Sequence, residues 1–383
     1  MNNNNFENNN INQQNLNNPQ IQNDSNNKIP KPIEQNKYSF SRYTKAPQTG
    51  LKNMGDTSYL NAVLQLIGNI RNFASFFVNP KNAKYINENM SDMRLSFIFH
   101  RLFTHLYPYP EKQHREKYEP KYLKKMLSEM NIVYNTNKKR NPNELISFIL
   151  NSLHNELNQL KYNNQILKPN NIYDRNNVIY CGNMNFINNN NSIISNLLNW
   201  FEIKKIKCIK CNQNIYEFYS YNTFELDILG AYNYKKNIIR LYDCLKYYSI
   251  PKKQNLYCRS CGVYTQMIIS PKIYCCPNSF IFSLDRKNLD NNLLQIPFLI
   301  NDAIDMTNFV ENEISPKQYQ LSGIVSYYKG WQKYIAFCKS PVDKQWYLYN
   351  DEDVEVQHLN VLDLHNNSNN QFIPCLLFYS SIK

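Results

Sequence analysis

No stretch of this 383-residue chain holds the ~20 consecutive apolar residues that a bilayer-spanning helix requires. The N-terminus lacks an apolar signal region, which argues against secretion and for an intracellular, cytoplasmic or nuclear setting. No internal repeat is visible. Lysine and arginine number 43 against 30 acidic residues, a formal net charge of +13. Yet the only dense basic block is Lys138-Lys139-Arg140. With no nucleic-acid-binding motif beside it, this charge describes a generally basic surface with some attraction for acidic partners, and specific nucleic-acid binding is not indicated. There are six histidines, and none lies between Tyr319 and Tyr334. Ten cysteines are present, but a chain this long needs no disulfide staples.

Residues 1–47 are dominated by Asn and Gln with few large apolar groups. Such a tract buries too little surface to offset its ordering entropy, so a disordered tail is expected there, followed by one domain over 48–383. Within that domain the first half reads as helices. The second half reads as short strands: Phe224–Ile228, Phe280–Leu284, Gln320–Val325, Tyr334–Cys338 and Trp346–Tyr349. Helices first and antiparallel sheet later make an α+β chain.

Three local patterns carry chemistry. The first is Gly50 to Leu66, G-L-K-N-M-G-D-T-S-Y-L-N-A-V-L-Q-L. Gly50 and Gly55 permit unusual backbone angles. Thr57 and Ser58 suit helix caps, and Leu60, Val63, Leu64 and Ile67 then recur at helical spacing. The loop therefore delivers residue 58 to a helix N-terminus, where the dipole favours negative charge. A cysteine there would react as thiolate; a serine needs a base. Read structurally, the same residues make a capped core helix.

The second pattern is Asn141-Pro142-Asn143-Glu144, in which Asn141 suits an N-cap and Pro142 the first helical position. Leu145, Phe148, Ile149 and Leu153 form the buried face that follows. The third is a pair of C-x-x-C knuckles, Cys208/Cys211 and Cys258/Cys261. Together they supply four thiolates, the ligand set of a closed, structural tetrahedral zinc site. The long gap between them must itself fold, and the ion would pin two distant hairpin ends.

These patterns, in this order, resemble the ubiquitin-specific proteases. The family's cysteine box reads G-L-x-N-x-G-N-T-C-Y-x-N-x-x-L-Q, and the segment after Glu144 is similar to its E-F-L-x-x-L-L-D-x-L-H-E-x-L, although Arg140 and Asn141 replace the usual Gln and Asp. The family's short helix between knuckles is matched by Leu241 to Leu245, and its strand ending L-K-R-F by Phe280 to Lys287. The resemblance implies a papain-like fold with a helical thumb, a β-rich palm and zinc-bearing fingers at about 200–270. It implies ubiquitin or a ubiquitin-like protein as partner, or a place in a protein complex. It also puts the family's oxyanion asparagine at Asn53, although that residue could equally just brace its loop.

The family's second box, Y-x-L-x-x-V-V-x-H-x-G, G-H-Y-x-A and W-Y-x-F-D-D, keeps its frame at Tyr319 to Tyr327, Gln332 to Ala336 and Trp346 to Asp351. Its chemistry is not kept. Ser58 stands at the nucleophile, Lys333 at the general-base histidine, and Asn350 at the orienting acid. The expected function is a pseudo-deubiquitinase that binds without cleaving. The alternatives are a deubiquitinase with atypical Ser58–Lys333 activity, and a scaffold in an RNA-processing complex such as the tri-snRNP or a poly(A)-nuclease assembly.

Overall fold

The helices of the first half form because their apolar residues, spaced by three and four, meet one another across the bundle. A computed structural model describes residues 47–86, 94–107, 117–136, 138–160, 166–286, 293–358, 360–367 and 371–382. The expected tail, apart from Pro47, and Lys287 lie outside the described residues. Helices run α1 (Ser58–Gly68), α2 (Arg71–Val78), α3 (Leu95–Leu106), α4 (Lys121–Met130), α5 (Pro142–Leu157), α6 (Arg175–Asn189), α7 (Ile193–Leu198), α8 (Ile228–Lys235), α9 (Leu241–Tyr248) and α10 (Val361–Asn366). Strands are β1 (Trp200–Cys208), β2 (Asn214–Tyr221), β3 (Phe224–Asp227), β4 (Ile239–Arg240), β5 (Lys252–Cys258), β6 (Val263–Cys275), β7 (Ser279–Asp285), β8 (Phe298–Leu299), β9 (Ala303–Asp305), β10 (Gln318–Tyr328), β11 (Lys333–Lys339), β12 (Trp346–Asn350), β13 (Asp353–Gln357) and β14 (Phe372–Ser381).

The main sheet has the order β13-β12-β11-β10-β14-β7-β3, with β9 paired to the start of β10. Its pairs are antiparallel except β3 with β7. Both faces of this sheet are covered, which explains why β7 and β14 read as nearly continuous apolar runs. Leu376 and Phe378 of β14 face the helices of the first half. Leu377 and Tyr379, one residue along, join α8, α9 and α10 in a second core. The first core includes Phe73, Phe77, Phe99 and Phe103, whose ring centroids lie 5.2 to 5.9 Å apart. Each such side chain contributes roughly 1.5–3 kcal/mol by burial, so this cluster anchors α2 on α3.

Four strands leave this body as a separate sheet, ordered β2-β1-β6-β5. The chain departs on the β1–β2 hairpin, returns to the body through β3, α8 and α9, and departs again on β5–β6. Here Leu241 to Leu245 is helical as the sequence suggests, within α9.

Two local expectations need correcting. Phe224 to Ile228 is strand only to Asp227, because the Asp227 carboxylate accepts from Gly230 N–H at 2.6 Å and starts α8 at Ile228. And α1 is buried on every side, not along one face, since it lies between the other helices and the sheet. Gly323 of β10 allows this approach: a Cβ there would stand 2.4 Å from Leu66 Cδ1.

Inside the second core, Ser326 and His365 are buried and hydrogen-bonded, with Oγ to Nε2 at 3.0 Å. His365 Nδ1 lies 2.8 Å from the Val361 carbonyl. Nδ1 therefore donates and Nε2 accepts, which is the neutral ring. Burial lowers the His365 pKa from 6.5 to about 4. As pH falls, the unfolded chain takes up this proton first, so stability declines from about pH 6.5 and keeps declining to about pH 4. Over that range the loss from this group is on the order of 3 kcal/mol. Urea unfolding at several pH values should show the slope in the natural sequence and a shallower one in His365→Phe. Equal slopes would remove His365 as its source.

Candidate functional site

The segment from Gly50 to Ser58 is held by backbone pairing to two distant parts of the chain. Leu51 N–H donates to the Asp351 carbonyl at 2.7 Å, and Tyr118 N–H donates to the Gly50 carbonyl at 3.0 Å. Only glycine fits at position 50, because a Cβ would lie 2.0 Å from the Glu352 carbonyl oxygen. Gly55 and Asp56 then take left-handed angles, φ 87° and 51°, and turn the chain into α1. Thr57 does not cap the helix with its side chain, contrary to its sequence pattern. Its hydroxyl instead donates to Asn53 Oδ1 at 3.2 Å and accepts Met54 N–H at 2.9 Å.

Asn53 is the brace of this loop. Its Oδ1 accepts from Gly55 N–H at 3.1 Å and Thr57 N–H at 3.2 Å, and its Nδ2 donates to Asp351 Oδ2 at 3.0 Å. Every polar atom of its side chain is thus engaged with the protein itself. Ser58 is buried, and its Oγ accepts the Tyr334 backbone N–H at 3.2 Å. The loop and β11 therefore meet where the sequence placed residues 58 and 333.

Asp351 organises the centre. Its side chain is 6% exposed and accepts from Lys333 Nζ at 3.2 Å, from Asn53 Nδ2, and from Asn61 Nδ2 at 2.9 Å through Oδ1. It adopts φ 53° in the turn after β12, a strained angle tolerated best by Asp and Asn among non-glycine residues. Asn350, its neighbour, has a buried Oδ1 that no donor reaches. Sequence reasoning assigned no role to Asp351, although the second acid of the W-Y-x-F-D-D pattern was its signal.

Lys333 Nζ is directed at the Asp351 carboxylate, 3.2 Å away. What the arrangement does supply is a charge-assisted, three-donor clasp joining the loop, α1 and β11 to the β12–β13 turn.

The second constellation lies at the tips of the two protruding hairpins. The Sγ atoms of Cys208, Cys211, Cys258 and Cys261 all lie within 4.8 Å of one another. Cys208 to Cys261 is 3.8 Å and Cys211 to Cys258 is 3.7 Å. A tetrahedral ion with metal–sulfur bonds near 2.3 Å sets sulfurs about 3.8 Å apart, whereas a disulfide needs about 2.05 Å. The residues therefore fit a single tetrahedral metal and not a disulfide. The two knuckles share a backbone design. In each, the fourth residue after the first cysteine is left-handed, Asn212 with φ 59° and Gly262 with φ 68°, and its N–H donates to that cysteine's carbonyl.

The family profile described as ubiquitin carboxyl-terminal hydrolase matches residues 49–379. Ubiquitin carboxyl-terminal hydrolase 4 of Saccharomyces cerevisiae is 22% identical over 349 residues, covering 79% of this chain and 36% of that protein. Human ubiquitin carboxyl-terminal hydrolase 15 is 28% identical over 132 residues, 31% of this chain and 13% of that protein. The chain thus spans about a third or less of the length of these relatives. Among solved structures, the SAGA Ubp8/Sgf11/Sus1/Sgf73 DUB module bound to ubiquitin aldehyde matches with TM-score 0.66 at 20% identity, covering 90% of this chain and 71% of that one. That likeness carries the fold: a helical thumb, a β-rich palm and hairpin fingers. Among the described residues no helix is long and apolar enough to cross a membrane. The profile match across most of its length makes this chain a member of the ubiquitin carboxyl-terminal hydrolase family, with the ubiquitin-specific protease fold.

Proposed function

We propose that this chain is a binding member of its family: a pseudo-deubiquitinase that engages ubiquitin or a ubiquitin-like protein and does not cleave it. The observation that carries this reading is the Lys333–Asp351 ion pair at 3.2 Å beside a Ser58 whose hydroxyl has a backbone N–H for a partner. Hydrolysis in this fold needs a nucleophile made reactive and a group that returns the proton to the leaving amine. Ser58 has no usable pKa of its own, and Lys333 is committed to a carboxylate. Asn53, at the oxyanion position, gives one amide hydrogen to Asp351 and its carbonyl oxygen to the loop, which supports a bracing role. The fold resembles structures whose domain was bound to monoubiquitin and to ubiquitin aldehyde within a four-protein module, which favours a ubiquitin partner and a place in a larger complex. An intracellular setting, cytoplasmic or nuclear, goes with that partner. One zinc on Cys208, Cys211, Cys258 and Cys261 would be structural, holding the hairpin tips together with no open coordination position.

A ubiquitin-agarose pull-down beside a ubiquitin activity probe tests the reading. Capture without labelling is the expected result. Labelling of the natural chain that disappears in Ser58→Ala would overturn it. Catalysis is further expected to appear only when both missing groups are restored together, as Ser58→Cys with Lys333→His, because nucleophile and base act as a unit. Asp351 would then be placed to hold the imidazole, and the free Asn350 Oδ1 offers a second acceptor. The readout is turnover of a fluorogenic ubiquitin C-terminal amide: background for the natural chain and either single variant, and above it for the pair. Turnover by Ser58→Cys alone would show that Lys333 is no obstacle.

A further inference from the structure

A cavity of about 310 Å³ opens between the start of α5 and the ends of β7 and β14, beside Tyr334, whose backbone holds Ser58. Three cations line it, Lys139, Arg140 and Arg286, against one carboxylate, Glu144. Glu144 is itself engaged in an interaction within the protein. Lys139 donates to the Gln332 carbonyl and lies 3.8 Å from Asp56, so its charge is partly met.

Arg286 is the unusual member. It is 2% exposed. Its Nε donates to the Pro374 carbonyl at 2.6 Å and its Nη1 to the carbonyls of Leu294 and Ile296 at 3.3 and 2.8 Å. All three acceptors are neutral, and Nη2 reaches no acceptor. Arg140 has a matching vacancy: its Nη2 donates to Thr136 Oγ1 at 2.9 Å, while its buried Nε has no partner. Besides these carbonyls Arg286 has the Phe298 ring, 5.7 Å from its guanidinium carbon, and no hydrogen bond to a carboxylate, so a buried charge is met by neutral groups alone, an arrangement that an arriving anion would favour. The N-terminus of the 16-residue α5 adds its partial positive charge on the same wall.

We propose that this cavity receives one anionic group, a carboxylate or a phosphate, held by Arg286 and Arg140. Guanidinium forks match the planar or tetrahedral oxygens of such groups and bind them through paired N–H donors. The volume is enough for the anionic group together with a small part of the molecule that carries it. The site does not depend on ubiquitin binding: a chain that binds the anion and ignores ubiquitin would keep this inference and lose the proposed function.

The test is calorimetric titration of inorganic phosphate into the full chain, with ionic strength held constant by sodium chloride. Saturable binding of one phosphate per chain is expected. Arg140→Gln and Arg286→Met should each weaken it about tenfold or more. Arg286→Met removes a buried side chain and is checked for folding by circular dichroism. Arg140 is only half-buried, so its variant keeps the test decisive if the other fails to fold. A second arm compares acetyl-Gly-Asp-Gly-amide with its Asn counterpart. Binding of the Asp peptide, displaced by phosphate, assigns the anion to a peptide; phosphate binding without it assigns a free anion. No saturable binding of either probe, or phosphate binding unchanged in Arg140→Gln, overturns the proposal.

Discussion

Removing the metal from the cysteine cluster is expected to unfold the fingers. Purified protein should carry about one zinc per chain, and Cys258→Ser should lower the melting temperature steeply or drive aggregation. The magnitude follows from geometry. The hairpins β1–β2 and β5–β6 are joined by the β1–β6 ladder, which runs out to Cys208 opposite Met267, but little side-chain packing backs it at the tips: the local core holds Ile206, Met267, Cys208 and Cys258, with a few half-buried neighbours. Much of the outer surface of β2 and β5 is exposed. A cluster this small cannot replace a thiolate–zinc site, for which apparent binding energies are about 10–16 kcal/mol in small zinc modules. Because binding requires deprotonated sulfur, zinc should also be lost as the pH is lowered. Hydrogen exchange before and after chelation would localise the change to residues 200–221 and 252–275. A folded, zinc-free protein with unchanged exchange there would sink the claim.

Asp351→Ala is expected to be the most damaging single substitution at the central site, costing about 3 kcal/mol. Lys333 Nζ and Asn53 Nδ2 lose their acceptor at once, and Asn61 Nδ2 is left with the longer bonds to the Leu51 and Lys52 carbonyls. Lys333 is 27% exposed and recovers some hydration, which keeps the cost below that of a fully buried orphan charge. Lys333→Met should cost less, because Asp351 retains two amide donors. The ordering of the two variants is the discriminating result, measured by chemical denaturation with unchanged m-values. If Lys333→Met proved the worse of the two, the clasp would not be centred on the carboxylate. The same comparison bears on the pseudoenzyme reading, since a lysine kept for its ion pair serves the fold and not proton transfer.

The cysteine spacing, the loop at Gly50 to Ser58 and the cap at Asn141 were legible in the chain because each is a local device. Asn141 accepts Asn143 N–H at 3.0 Å, as an Asn-Pro helix start should. Thr57 was misread because its hydroxyl has a better acceptor in Asn53, four residues back, than in the helix it precedes. The fully buried α1 was misread because its polar residues, Asn61 and Gln65, look solvent-facing in sequence. In the fold they donate to the Leu51 and Thr49 carbonyls at 3.2 and 2.9 Å.

Sequence by itself determined the general run of helices and strands, the family and the four-thiol set, since these depend on residue identity and short-range spacing. Tertiary structure alone decided which partners the residues of the central site take. Asp351 reaches Lys333 across 18 residues and Asn53 across 298. Arg286 meets the Pro374 carbonyl across 88 and shares its cavity with Arg140. Such partnerships depend on which segments the sheet and the helical layer bring within hydrogen-bond reach. A charge in a one-dimensional string carries no record of the neighbour that will neutralise it, or of the lack of one.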